Sequence, residues 1–83
     1  MTVELSARTR LAIRIHDLRD RANRVGLSHQ AACRNAGCSP GYLSTAATAL
    51  AADPEALDRI EAIIAERERH VLAELLELHW ERG

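Results

Sequence analysis

Phenylalanine is missing from these 83 residues, and Tyr42 and Trp80 are the only aromatic side chains. Any core therefore has to be assembled from Leu, Ile, Val and Ala, which with the few other apolar residues make up 47% of the chain. Lysine is missing too: all 11 basic residues are arginines. With Gly 4 and Pro 2, the composition excludes collagen-like repeats and argues against disorder or a turn-rich β-sandwich. No apolar run reaches the roughly 18 residues of a membrane span. The N-terminus lacks the basic, apolar, small-residue order of a signal peptide. These absences predict one small, cytoplasmic, all-α domain.

What is present is unevenly divided. The net charge is −1. Residues 1–52 hold seven Arg against Glu4, Asp17 and Asp20, whereas residues 53–83 hold four Arg against nine acids. The two stretches belong to one domain, but the first is suited to a polyanion and the second is not.

Along the chain, Leu11, Ile15, Leu18, Ala22 and Val25 step by 4, 3, 4 and 3, the stripe of an amphipathic helix over 3–25. Thr2 is placed to cap it and Gly26 to end it. At 100° per residue, Arg10, Arg14, Arg21 and Arg24 gather on one flank of that stripe, with Asp17 among them, and Arg8 and Arg19 on the other. Ser28 reads as the cap of a short helix over 29–36 that Gly37 stops. Ser39, followed by Pro40 at the first helical position, reads as the cap of a third helix running to about Leu50. Asp53-Pro54-Glu55 repeats the start signal, and no Gly or Pro follows until the last residue. The expected fold is an all-α bundle of four to five helices with a long C-terminal one.

Chemistry-bearing clusters are few. There is no phosphate-cradling glycine loop, no H-E-x-x-H motif and no nucleophile with an evident base, so no enzyme and no cofactor is expected. Cys33 and Cys38 do not form a C-x-x-C pair. His29 and Cys33 share a helix face at i,i+4, but a zinc site there needs a distant fourth ligand. The simpler reading makes Cys33 a small buried residue and leaves the chain without a metal site.

The segment 28–50 carries more. A helix-turn-helix needs a small residue midway along its first helix, where the second passes close; Cys33 is small. It needs glycine at the turn, where φ is positive, and Gly37 stands four residues on. It needs apolar residues in the turn and second helix to hold the crossing angle; Cys38 and Leu43 fit. This order of Ser28, His29, Cys33, Gly37 and Cys38-Ser39 resembles the helix-turn-helix of the phage repressor and Cro-like (XRE) regulators. Asp53-Pro54 with Leu57, Ile60 and Ile63-Ile64 is similar to that family's Pro-led fourth helix, so the resemblance covers residues 8–65. Its implication is a DNA-binding transcription regulator acting by operator occupancy. Ser39, Gly41, Tyr42, Ser44, Thr45 and Thr48 would then meet base edges. Arg10, Arg14, Ser28, His29, Gln30 and Arg34 would meet phosphates.

That second helix has no Arg, Lys, Asn or Gln, the residue types that read G or A bidentately. A rival expectation is therefore a protein-interaction module, antitoxin-like or immunity-modulating, that keeps the helix-turn-helix as a scaffold. The segment 71–80 invites two readings as well. Val71, Leu72, Leu75, Leu76, Leu78 and Trp80 either fold back onto the core or form a homodimer interface, the latter being expected here. The acids of the last helix, Glu61, Glu66, Glu68, Glu74, Glu77 and Glu81, read as a solvated face.

Overall fold

The computed structural model describes residues 6–81, with side chains as far as Leu78. Four helices follow one another: α1 (Ala7–Arg24), α2 (His29–Asn35), α3 (Tyr42–Ala49) and α4 (Pro54–Glu81). The described residues contain no strand. None of their helices is long and apolar enough to cross a membrane.

Helix α1 starts later than its periodicity suggests. Ser6 caps it, accepting from the Thr9 N–H at 3.1 Å, and Thr2 lies outside the described residues. Helices α1 and α2 end in the same way. Gly26 (φ +69°) and Gly37 (φ +79°) take the left-handed conformation that a residue with a Cβ resists. Around each, two backbone bonds close the helix end: Gly26 N to Asn23 O and Leu27 N to Ala22 O, then Gly37 N to Arg34 O and Cys38 N to Cys33 O. This is the Schellman arrangement, in which the residue after the glycine turns back onto the helix. It places Leu27 and Cys38, both half-buried, against the core.

Pro40 acts differently from expectation. Ser39 does not cap α3; its carbonyl accepts from Tyr42 N at 3.0 Å, closing a β-turn with Pro40 in its second position. Gly41 follows at φ −90°, ψ 10°, the values of the third residue of a type I turn, and serves as the N-cap with no side-chain hydrogen bond. Proline's fixed φ suits a turn as well as a first helical turn, so the sequence signal for the two is shared. Helix α3 thus begins two residues later than Pro40.

The core is wholly aliphatic apart from one thiol. Ile15, Leu18 and Ala22 of α1 meet Ala32 and Cys33 of α2, Leu43 and Ala46 of α3, and Leu57, Ile60 and Ile64 of α4. No buried side-chain polar atom among the described residues lacks a partner. Helix α1 packs against the other three, and α3 rests on α1 and α2.

Helix α4 is unbroken over 28 residues, about 42 Å long. Its first half closes the core; its second half leaves it. The radius of gyration, 15.3 Å, exceeds the roughly 12 Å of a rounded chain of this length. Leu72, Leu75, Leu76 and Leu78 are 57–60% exposed, so they do not fold back to complete the core.

Candidate nucleic-acid interface

Helices α2 and α3 meet across the turn 36–41 with Cys33 fully buried between them. Burial pushes the Cys33 thiol up, against the opposing pull of the Leu43 and Tyr42 backbone N–H groups and with a smaller contribution from nearby Cys38. A side chain larger than Cys at this point would separate the two helices. Leu43 is buried in α3 as the crossing angle requires, and Ala46 backs it one turn on.

On the outer side the candidate residues divide into three groups. Ser39, Gly41, Ser44, Thr45 and Thr48 are all exposed, and Ser44, Thr45, Thr48 and Ala49 line a shallow open depression along α3. Thr48 donates its hydroxyl hydrogen to Ser44 O at 3.1 Å, leaving its oxygen as an acceptor. Tyr42 stands apart from them. Its ring is half-buried against the core, and its hydroxyl accepts from Asp53 N at 2.8 Å, so it ties the start of α3 to the start of α4.

Among the expected phosphate contacts, Ser28 caps α2 by accepting from Ala31 N at 3.1 Å. Gln30, Arg34 and Arg10 are exposed. His29 is half-buried, with its Nε2 3.1 Å from the Arg19 carbonyl oxygen. That bond joins α2 to α1 and fixes the ring beside a groove lined by His16, Arg19, Asp20 and Asn23.

Arg14 lies on another face and is already engaged. Its guanidinium donates to Asp58 at 2.6 Å and Glu61 at 3.2 Å. Arg21, one heptad on, donates to Glu61 at 2.9 Å and to both oxygens of Glu68 at 2.7 and 3.2 Å. These bonds raise the pKa of both arginines and hold the Glu61 and Glu68 carboxyls below the usual range; for each carboxyl the largest cause is the bond from Arg21. The reading of the α4 acids as a purely solvated face is corrected here. Glu61 and Glu68 stand seven residues apart, as Arg14 and Arg21 do, so two helices lying side by side bring the charges together. Glu66, Glu74 and Glu77 are exposed as expected, and Glu81 lies outside the described side chains.

Two further arginines have a role that composition did not reveal. Arg67 donates to the carbonyl of Val25 and Arg59 to that of Ala36, each at 3.2 Å. Val25 and Ala36 are the C-cap residues of α1 and α2. Helix α4 therefore supplies a cation to the negative end of each. Their spacing of eight, two helical turns, was the one available signal.

Among the described residues no group of three His, Cys, Asp or Glu side chains is arranged to hold a metal ion. No family model matches this sequence, and no curated protein or solved structure shows significant similarity to it.

Proposed function

We propose that the protein is a small helix-turn-helix regulator that binds double-stranded DNA as a pair of copies and acts by occupying its operator. One observation carries this reading: two short helices cross over a buried Cys33, and a left-handed Gly37 makes the turn. The second helix then presents a continuous hydroxyl face to solvent. In this reading α3 enters the major groove. Ser39, Ser44, Thr45 and Thr48 meet base edges, and Arg10, Arg34, Gln30 and the capped start of α2 meet phosphates. Hydroxyls discriminate bases weakly, so shape and deformability of the operator supply much of the selectivity. Repression follows from steric exclusion of polymerase or of a competing regulator, and the protein works in the cytoplasm.

Selection of duplexes from a random pool at physiological salt tests this, because generic phosphate binding is suppressed there. An enriched palindrome is the expected result. A folded protein that enriches nothing would favour the rival reading, a protein-interaction module. That reading draws support from the uncharged face of α3 and from the capture of Arg14 and Arg21 by α4.

A further inference from the structure

Among the described residues, five arginines have protein partners. Arg14, Arg21 and Arg24 hold carboxylates, and Arg59 and Arg67 hold helix-end carbonyls. Arg8, Arg10, Arg34 and Arg69 are exposed to solvent. Arg19 differs from both groups. It is half-buried, yet no carboxylate or carbonyl of the described residues accepts from its guanidinium. A cation in that position gives up hydration and has no partner to offset the loss. It lines the groove between α1 and α2 together with His16, Asp20, Asn23 and His29. Asp20 does not serve it, because Asp20 accepts from Arg24 at 2.7 Å. The groove thus combines one uncompensated guanidinium with two imidazoles.

His29 adds an independent feature. Its Nε2 lies 3.1 Å from the Arg19 carbonyl oxygen. A carbonyl can only accept, so this nitrogen carries the hydrogen, and in the neutral ring Nδ1 keeps a bare lone pair. Nδ1 has no partner among the described residues, and no buried side-chain polar atom there lacks one, so Nδ1 reaches solvent. Gaining a proton turns this acceptor into a donor and leaves intact the bond that ties α2 to α1.

We propose that this groove is a subsite for a phosphate group, and that protonation of His16 and His29 sets its strength. Arg19 supplies a permanent charge and a planar fork that matches two phosphate oxygens. His29 offers an approaching oxygen a lone pair when neutral and an N–H when charged. The groups facing it are few. Helix α1 contributes His16, Arg19 and Asp20, the last balanced by Arg24. Helix α3 contributes only Ala47 and Leu50, at the adjoining depression that His16 and Arg19 also line. That adjacency supplies the phosphate. A helix in the major groove, about 12 Å wide, has a sugar-phosphate backbone along each side, so a duplex seated on α3 brings one to this edge.

The inference rests on the DNA reading above for a backbone phosphate as ligand, and inorganic phosphate tests the subsite without that reading. Isotope-labelled protein is titrated with inorganic phosphate and, separately, with a short duplex, each at pH 8 and pH 6. Resonances of Arg19 Nε and of the His16 and His29 rings should move with both ligands. At fixed salt the duplex affinity should rise roughly 10-fold from pH 8 to pH 6, because binding takes up protons. His16→Gln with His29→Gln should remove that rise, while His70→Gln, outside the groove, should keep it. Glutamine at 29 retains a donor for the Arg19 carbonyl, and circular dichroism checks that the helices persist. An equal loss with His70→Gln would assign the rise to net charge and overturn the subsite. Arg19→Gln should lower the salt slope of duplex binding by about 0.9, and Arg19→Lys should restore it. Movement with phosphate but not with duplex would keep the subsite and make free phosphate its ligand. Resonances unmoved by either ligand at pH 6 would overturn it.

Discussion

The two halves of α4 are alike in sequence and opposite in circumstance. Both set branched aliphatic residues among glutamates at helical spacing, chiefly Ile in the first and Leu in the second, and both continue one apolar face. Residues 54–71 bury Leu57, Ile60 and Ile64 completely, while residues 72–78 leave four leucines more than half exposed. Helicity does not distinguish them, because it is settled by good local helix formers propagating from a stable first half. Burial does. It depends on whether another helix is long enough to lie alongside, and α1 stops at Arg24. An apolar stripe thus specifies a face that seeks cover without specifying what covers it.

The largest effect that would break this comparison is a truncation in each half. Ile60→Ala opens a cavity at a fully buried position and should destabilise the protein by about 2–5 kcal/mol. Leu76→Ala, at 60% exposure, should change the stability of the single copy by no more than about 0.5 kcal/mol. Urea unfolding at protein concentrations low enough to keep copies apart measures both. Equal losses would mean that the distal half is packed after all.

A smaller effect sharpens what the first half gains from its acids. Arg21 is 22% exposed and bonds Glu61 and Glu68 together, so Arg21→Ala should cost about 1–2 kcal/mol, the range of two partly screened pairs. The loss should also depend on pH. Both carboxyls are depressed in the folded protein, so the stability they give is complete above the ordinary glutamate value of about 4.3. It disappears as pH falls through their lower folded values. Thermal melts at neutral pH and near pH 2 should show a clear difference between wild type and Arg21→Ala in the first and almost none in the second. A gap that persists in acid would assign the contribution of Arg21 to its packed methylene groups instead.

Much of this was legible in the sequence, and the misses have physical causes. Helix periods, the two left-handed glycines, the buried Cys33 and the start of α4 at Pro54 follow from local chemistry, which short windows record. Pro40 misled because a turn and a helix start ask the same φ of it. The pairing of α1 with α4 was hidden for another reason. Arg14 and Glu61 are 47 residues apart, and only the packing direction of the helices decides that they meet. Tyr42 was legible as a surface residue of α3 but not as the acceptor for Asp53 N, since that contact depends on where the α3–α4 loop returns.

That pairing leads to the smallest and most selective prediction, which concerns two arginines with the same charge and different surroundings. Arg34 is exposed near the end of α2, and no salt bridge engages it among the described residues. Arg14 is held by Asp58 and Glu61, so moving it to a phosphate would leave two carboxylates facing the polyanion. Each phosphate contact adds about 0.9 to the slope of log K against log salt. Arg34→Ala should therefore flatten that slope by about one contact and weaken binding to all sequences alike. Arg14→Ala should leave the slope unchanged and lower the melting temperature instead. The reverse outcome would mean that α4 releases Arg14 when DNA arrives, making the acids of its first half a competitor for the arginines of α1 as well as their partner.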